Sequence, residues 1–92
     1  MPTLANLMNF VGGPGEMSRL VRSKDWSSTP LGPIEHWPQS LRTTVGLCLA
    51  SNFPINIIWG AEHTQIYNDG YRVTCGDGHP AFLGMNYAVS WS

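Results

Sequence analysis

The chain is 92 residues long, with 42% hydrophobic residues, only 12% charged residues and a formal net charge of −1. That length holds one domain at most, and without a Lys/Arg cluster it lacks the basic patch that nucleic acid or anionic lipid requires. No apolar run approaches the roughly 20 residues of a membrane span, and MPTLANLMNF has neither the positive start nor the apolar core of a signal peptide, so the sequence reads as a cytoplasmic segment.

Leu4, Leu7, Met8 and Val11 recur at helical spacing, so residues 1–14 read as a short helix or as disordered, broken by Gly12-Gly13-Pro14-Gly15. A second amphipathic pattern places Met17, Leu20 and Val21 on one face and Ser18, Arg19, Arg22 and Ser23 on the other, ending near Lys24 to Trp26. Ser27 to Pro38 reads as loop, because each of its prolines pushes the preceding residue toward extended conformation. Trp26, Leu31, Ile34 and Trp37 make that loop apolar, so it should pack down on the protein.

Pro38 suits the start of a helix, where its missing N–H has no intrahelical partner. Leu41, Val45, Cys48 and Leu49 then form a continuous apolar stripe, and Ser51-Asn52 ends the helix. Residues 15–52 are thus a helical N-terminal extension. From Phe53 the period changes to two: Phe53, Ile55, Ile57 and Trp59 alternate with Pro54, Asn56 and Ile58, predicting a strand. Gly60 to His63 is short enough for a hairpin, and Thr64–Tyr67 is the return strand. Asn68 or Asp69 should cap a short helix through Tyr71 and Val73, followed by a turn at Gly76–Pro80, one helical turn at Pro80–Leu83, and a stop at Gly84.

The chemistry that these residues can carry is limited. Cys75 and His79 stand four apart, but a structural zinc site needs four ligands in close pairs, and Cys48, His36 and His63 offer no paired spacing. They read as a loop thiol and a loop imidazole, with Cys48 and Cys75 as free thiols of a reducing compartment. Two common residue types are no evidence of a Cys-His nucleophile, and no nucleophile elbow, P-loop or dinucleotide loop is present. The sequence carries no catalytic constellation. The aromatic residues fit either a core or a small-molecule pocket, with Asn56, Trp59, Tyr71 and Phe82 as the pocket candidates and Asn56 as the polar group that would orient a ligand.

DWSSTPLGPIEHWPQSLRTTVGLCLAS, followed by FPINIIWG, TQIYNDGY, GDGHPAFLG and a late Trp, resembles the N-terminal part of PAS sensor domains, of the kind at the front of bacterial sensor histidine kinases and hybrid kinases. The resemblance covers Gly15 to Trp91. It implies an α+β fold, a truncated PAS-like arrangement in which N-terminal helices precede the first antiparallel hairpin and short helices. Residues 53–92 would be the first part of a PAS domain with its sheet incomplete. The implied role is a non-catalytic sensory and interaction module of a two-component signalling protein, with a kinase module in the longer parent. Its cofactor is unknown: none, or a small molecule in the core.

A two-stranded hairpin is marginal in water and an apolar edge invites pairing. A homodimer or higher homo-oligomer is therefore expected, formed through the strands or through the Leu41, Val45, Cys48 and Leu49 helix face. The alternatives are a small ligand- or metal-binding protein using Cys75 and His79, or a fragment of a larger sensor kinase without function of its own.

Overall fold

In the computed structural model, which describes residues 15–90, the elements follow in the order α1 (Glu16–Ser23), α2 (Gln39–Ala50), β1 (Asn56–Trp59), β2 (Thr64–Tyr67), α3 (Asp69–Cys75) and α4 (Tyr87–Ser90). The segment 1–14, expected to be a short helix or disordered, lies outside the described residues. The fold class is α+β, with an antiparallel two-stranded sheet and helices around it.

α1 buries Met17, Ser18 and Val21. Ser18 was expected on the polar face. A helix advances about 100° per residue, so residues 17, 21 and 18 share one sector, and the buried stripe is wide enough to take in the small hydroxyl. The following loop packs down as its apolar content requires. Trp26 and Trp37 meet edge to face at 5.1 Å, and each indole N–H finds a carbonyl: Trp26 Nε1 donates to Val21 O at 2.8 Å and Trp37 Nε1 to Gly32 O at 2.9 Å. Two 3-10 turns, Trp26–Ser28 and Ile34–His36, shape the loop between its prolines.

α2 starts one residue after Pro38 and turns Leu41, Val45 and Cys48 inward. These side chains are 2% exposed or less and belong to the same core as Met17, Trp26, Ile57, Ile66 and Tyr67, with Leu49 packed against it. This corrects the expectation of a dimer on that face. α2 lies against both strands of its own chain, so Leu41, Val45 and Cys48 are spent on the intramolecular core. The helix's large exposed hydrophobic side chain is Leu47.

β1 begins at Asn56 rather than Phe53. Ser51 to Ile55 is bent by a side chain from elsewhere: Asn68 Nδ2 donates to Phe53 O at 2.7 Å and to Cys48 O at 3.0 Å, and Asn68 Oδ1 accepts from Ile55 N at 3.1 Å. Phe53 is left 78% exposed. β1 then pairs with β2 in the register Asn56↔Tyr67, Ile57↔Ile66, Ile58↔Gln65 and Trp59↔Thr64. Every residue of β2 is buried, so both faces of that strand are covered. Its outer edge is covered as well: Gly84 N donates to Gln65 O at 2.9 Å, Gln65 N to Met85 O at 3.0 Å, and Thr64 bridges Asn86. Gly84, at φ 86°, makes the turn that lets residues 84–86 run beside β2.

Asn68 also caps α3, its Oδ1 accepting from Tyr71 N at 3.0 Å. Asp69, the other cap candidate, serves a different helix. Its Oδ1 accepts from Met17 N at 3.1 Å, satisfying an unpaired N–H in the first turn of α1.

Candidate functional site

Glu16, Tyr67, Arg72, Cys75 and His79 gather where the start of α1, the end of β2, α3 and the loop after α3 meet. Glu16 Oε1 pairs with Arg72 Nη1 at 2.7 Å, and its Oε2 lies 2.6 Å from His79 Nε2. The other ring nitrogen of His79, Nδ1, is 2.7 Å from the Tyr67 hydroxyl, and the Cys75 thiol neighbours the same hydroxyl. A carboxylate accepts only, so a neutral His79 carries its proton on Nε2 and takes the Tyr67 O–H at Nδ1. Cys75 and His79, singled out by spacing, do come together, but through Tyr67.

The electrostatics decide what this cluster can do. Hydrogen bonds from His79 and then Arg72 hold the Glu16 carboxyl below its ordinary range, and the pairing with Glu16 raises Arg72. Burial is the main cause that pushes the Tyr67 phenol up, and burial likewise raises the Cys75 thiol. Both groups stay protonated at neutral pH. A nucleophile must lose its proton and reach solvent, whereas Tyr67 is fully buried and Cys75 is 6% exposed. The acid–imidazole–phenol chain is therefore a clasp that ties α1 to the sheet and to α3. Among the described residues no group of three or more His, Cys, Asp or Glu is placed to hold a metal ion.

The four pocket candidates are not assembled into one site. Residues paired across an antiparallel ladder point to the same face, and the face alternates along a strand. Asn56 shares a face with Tyr67, while Trp59, three positions on, projects from the other. Tyr71 stacks obliquely on Tyr67 at 6.0 Å, and Phe82 packs against the core. Two surface clefts of about 300 and 230 Å³ are lined by other residues, the first by Arg22, Asp25 and Glu35 among others and the second by Leu20, Lys24 and Leu83.

Asn56 has a polar environment that the sequence did not disclose. Ser90 Oγ donates to Tyr87 O at 2.9 Å and accepts from Gln65 Nε2 at 2.7 Å, which leaves Gln65 Oε1 to accept from Asn56 Nδ2 at 3.0 Å. Ser90 thereby sets the direction of the chain, and its far end is Asn56 Oδ1, an acceptor without a donor among the described residues. Glu16 and Gln65 escaped sequence reasoning because their partners lie up to 63 positions away.

No helix among the described residues is long and apolar enough to cross a membrane. No family model matches the chain, and no curated protein and no solved structure matches it.

Proposed function

We propose that the chain is a non-catalytic sensory and protein-interaction module with a PAS-like fold, part of a bacterial two-component signalling protein, in which copies of the module associate and pass a signal to a kinase module of the parent through altered packing. The observation that carries the association is the asymmetry of the sheet. β2 is covered on both faces and along its outer edge, whereas β1 has Ile58 45% exposed, with Phe53 exposed just before the strand. A strand edge flanked by exposed apolar side chains is a template for a second chain. The order of the sequence motifs from Asp25-Trp26 to Leu83-Gly84 supports the PAS-like assignment, and the protonated, buried state of Tyr67 and Cys75 favours a non-catalytic role.

A signal can act in such a module only by favouring one of two arrangements of the copies. The association is tested by light scattering on the purified chain at micromolar concentration. A dimer or larger assembly is expected; a stable monomer would sink the proposal.

A further inference from the structure

His79 stands between separate elements with both ring nitrogens engaged. Nε2 faces Glu16 of α1 at 2.6 Å and Nδ1 faces the Tyr67 hydroxyl of β2 at 2.7 Å, and the side chain is only 14% exposed. The chain's other two histidines, His36 and His63, lie exposed. An imidazole is the side chain that ordinarily changes charge between about pH 5 and 8. Of the three, His79 is the one whose ring ties α1 to the sheet.

Protonation alters the two sides of that ring differently. The neutral ring donates from Nε2 to Glu16 and accepts at Nδ1 from Tyr67, whereas the protonated ring has a donor on each nitrogen. Toward Glu16 the hydrogen bond becomes charge-assisted from both partners, about twice as strong as a neutral one. Toward Tyr67 the direction reverses. The phenol oxygen accepts from Nδ1–H, and its own proton turns away toward the neighbouring Cys75 sulfur, a weak acceptor. The grip of His79 therefore moves from β2 to α1.

We propose that His79 is a proton-operated latch on α1: uptake of a proton from water at Nδ1 tightens the seat of the first turn of α1, and release of that proton loosens it. The inference goes beyond self-association, because every group in it belongs to one chain.

Three features fit the cluster to this role. Arg72 Nη1 holds Glu16 Oε1 at 2.7 Å, so the other carboxylate oxygen stays aimed at His79 in both protonation states. Hydrogen bonds from His79 and Arg72 keep the Glu16 carboxyl below its ordinary range, so it remains ionised while the imidazole titrates. The charges around the ring are also unbalanced. Glu16 from α1 and Asp69 from α3 are negative and Arg72 from α3 is positive, so with a neutral ring the cluster is one positive charge short of neutrality. Tyr67 and Cys75 stay protonated because burial raises them, and Asp77 on the loop is exposed. α1 keeps its place in both states, since Met17 and Val21 are in the core and Asp69 Oδ1 holds the Met17 N–H. The latch sets how tightly α1 sits, which is a matter of local opening.

Amide exchange followed by NMR on the full chain, expressed as protection factors, tests the latch at about pH 8 and about pH 5.5. Met17 and Arg19, whose N–H groups bond Asp69 Oδ1 and Gly15 O, are expected to gain about threefold in protection at the lower pH, the share left to a charge-assisted bond of a partly exposed pair. The His79 ring nitrogens and the Tyr67 Cζ resonance are expected to shift with one midpoint. In His79→Gln a neutral amide stands between the same partners, and in Glu16→Gln the ring titrates with no carboxylate to meet, so the gain is expected to vanish in both. A merely structural role would lower protection in the variants equally at both pH values and give the unsubstituted chain no gain. Equal protection at the two pH values in the unsubstituted chain, or a gain that persists in either variant, overturns the latch, and so does a Tyr67 resonance that ignores the His79 titration. If His79→Gln fails to fold, Glu16→Gln carries the test, because that side chain is 36% exposed.

Discussion

Replacing Asn68 by Ala removes the side chain on which three elements converge. Asn68 is 1% exposed. Its Oδ1 accepts from Ile55 N and Tyr71 N, and its Nδ2 donates to Cys48 O and Phe53 O, with Ser51 O a longer contact at 3.4 Å. At about 1 kcal/mol net per hydrogen bond, with buried backbone groups left unpaired, the loss is about 3–5 kcal/mol. A domain of this size has about 5–14 kcal/mol of stability in total, so Asn68→Ala brings the protein close to the limit of folding. Asn68→Asp keeps both acceptors but turns a carboxylate oxygen toward the carbonyls of Cys48 and Phe53, which raises that carboxyl's pKa in the folded state. Its penalty therefore sets in as pH rises through the ordinary carboxylate range, is full only above the raised folded-state value, and is relieved as pH falls. Urea unfolding followed by tryptophan fluorescence reads both effects, because Trp26 and Trp37 sit in the core. An Asn68→Ala variant within about 1 kcal/mol of the parent, with an unchanged m-value, would refute the reasoning.

The Glu16 carboxyl, lowered by His79 and Arg72, contributes stability that is present above the usual carboxylate pKa and lost as pH falls through its lowered value. Glu16→Gln should accordingly flatten the acid limb of a stability-versus-pH curve, and an unchanged limb would mean that the clasp does not stabilise the fold. Gly70→Ala should destabilise by about 1 kcal/mol although Ala is the better helix former. A Cβ there lies 3.2 Å from Pro54 N and 3.4 Å from Asn52 O, which are backbone atoms held by the Asn68 bonds; a stabilised Gly70→Ala protein in the same urea assay would show that the segment yields. The Cys48 thiol, pushed up to about 11 by burial, should resist iodoacetamide at pH 8 in the folded chain and react readily in urea. Equal rates in the two conditions, followed by mass spectrometry, would place Cys48 in solvent.

The local elements were legible because they depend on neighbours in sequence. The apolar stripe of α2, the return strand Thr64–Tyr67, the Asn68 cap and the stop at Gly84 each follow from spacing or from the chemistry of one residue. The packed-down loop followed from Trp26 and Trp37, whose ring area has to be buried whatever its partner. The sequence misled where a distant group overrode a local pattern. Phe53 continues the alternation of β1 yet lies in solvent, because Asn68 holds its carbonyl. The stripe on α2 promised a dimer face, but periodicity shows only that a face is buried and not against which chain.

The candidate site was the least legible part. Asn56 and Trp59 looked like one lining and lie on opposite faces of the sheet, a matter of strand parity that becomes definite only once the strand's limits and partner are known. Glu16 and Arg72 are unremarkable along the chain, and they meet Tyr67 and His79 only because α1 docks on α3. By itself, then, the sequence determined the elements and the composition of the core, since these are properties of short stretches. Which faces are spent inside the chain, and that His79 stands between Glu16 and Tyr67, was decided by tertiary structure, because those contacts are relations between elements far apart in sequence.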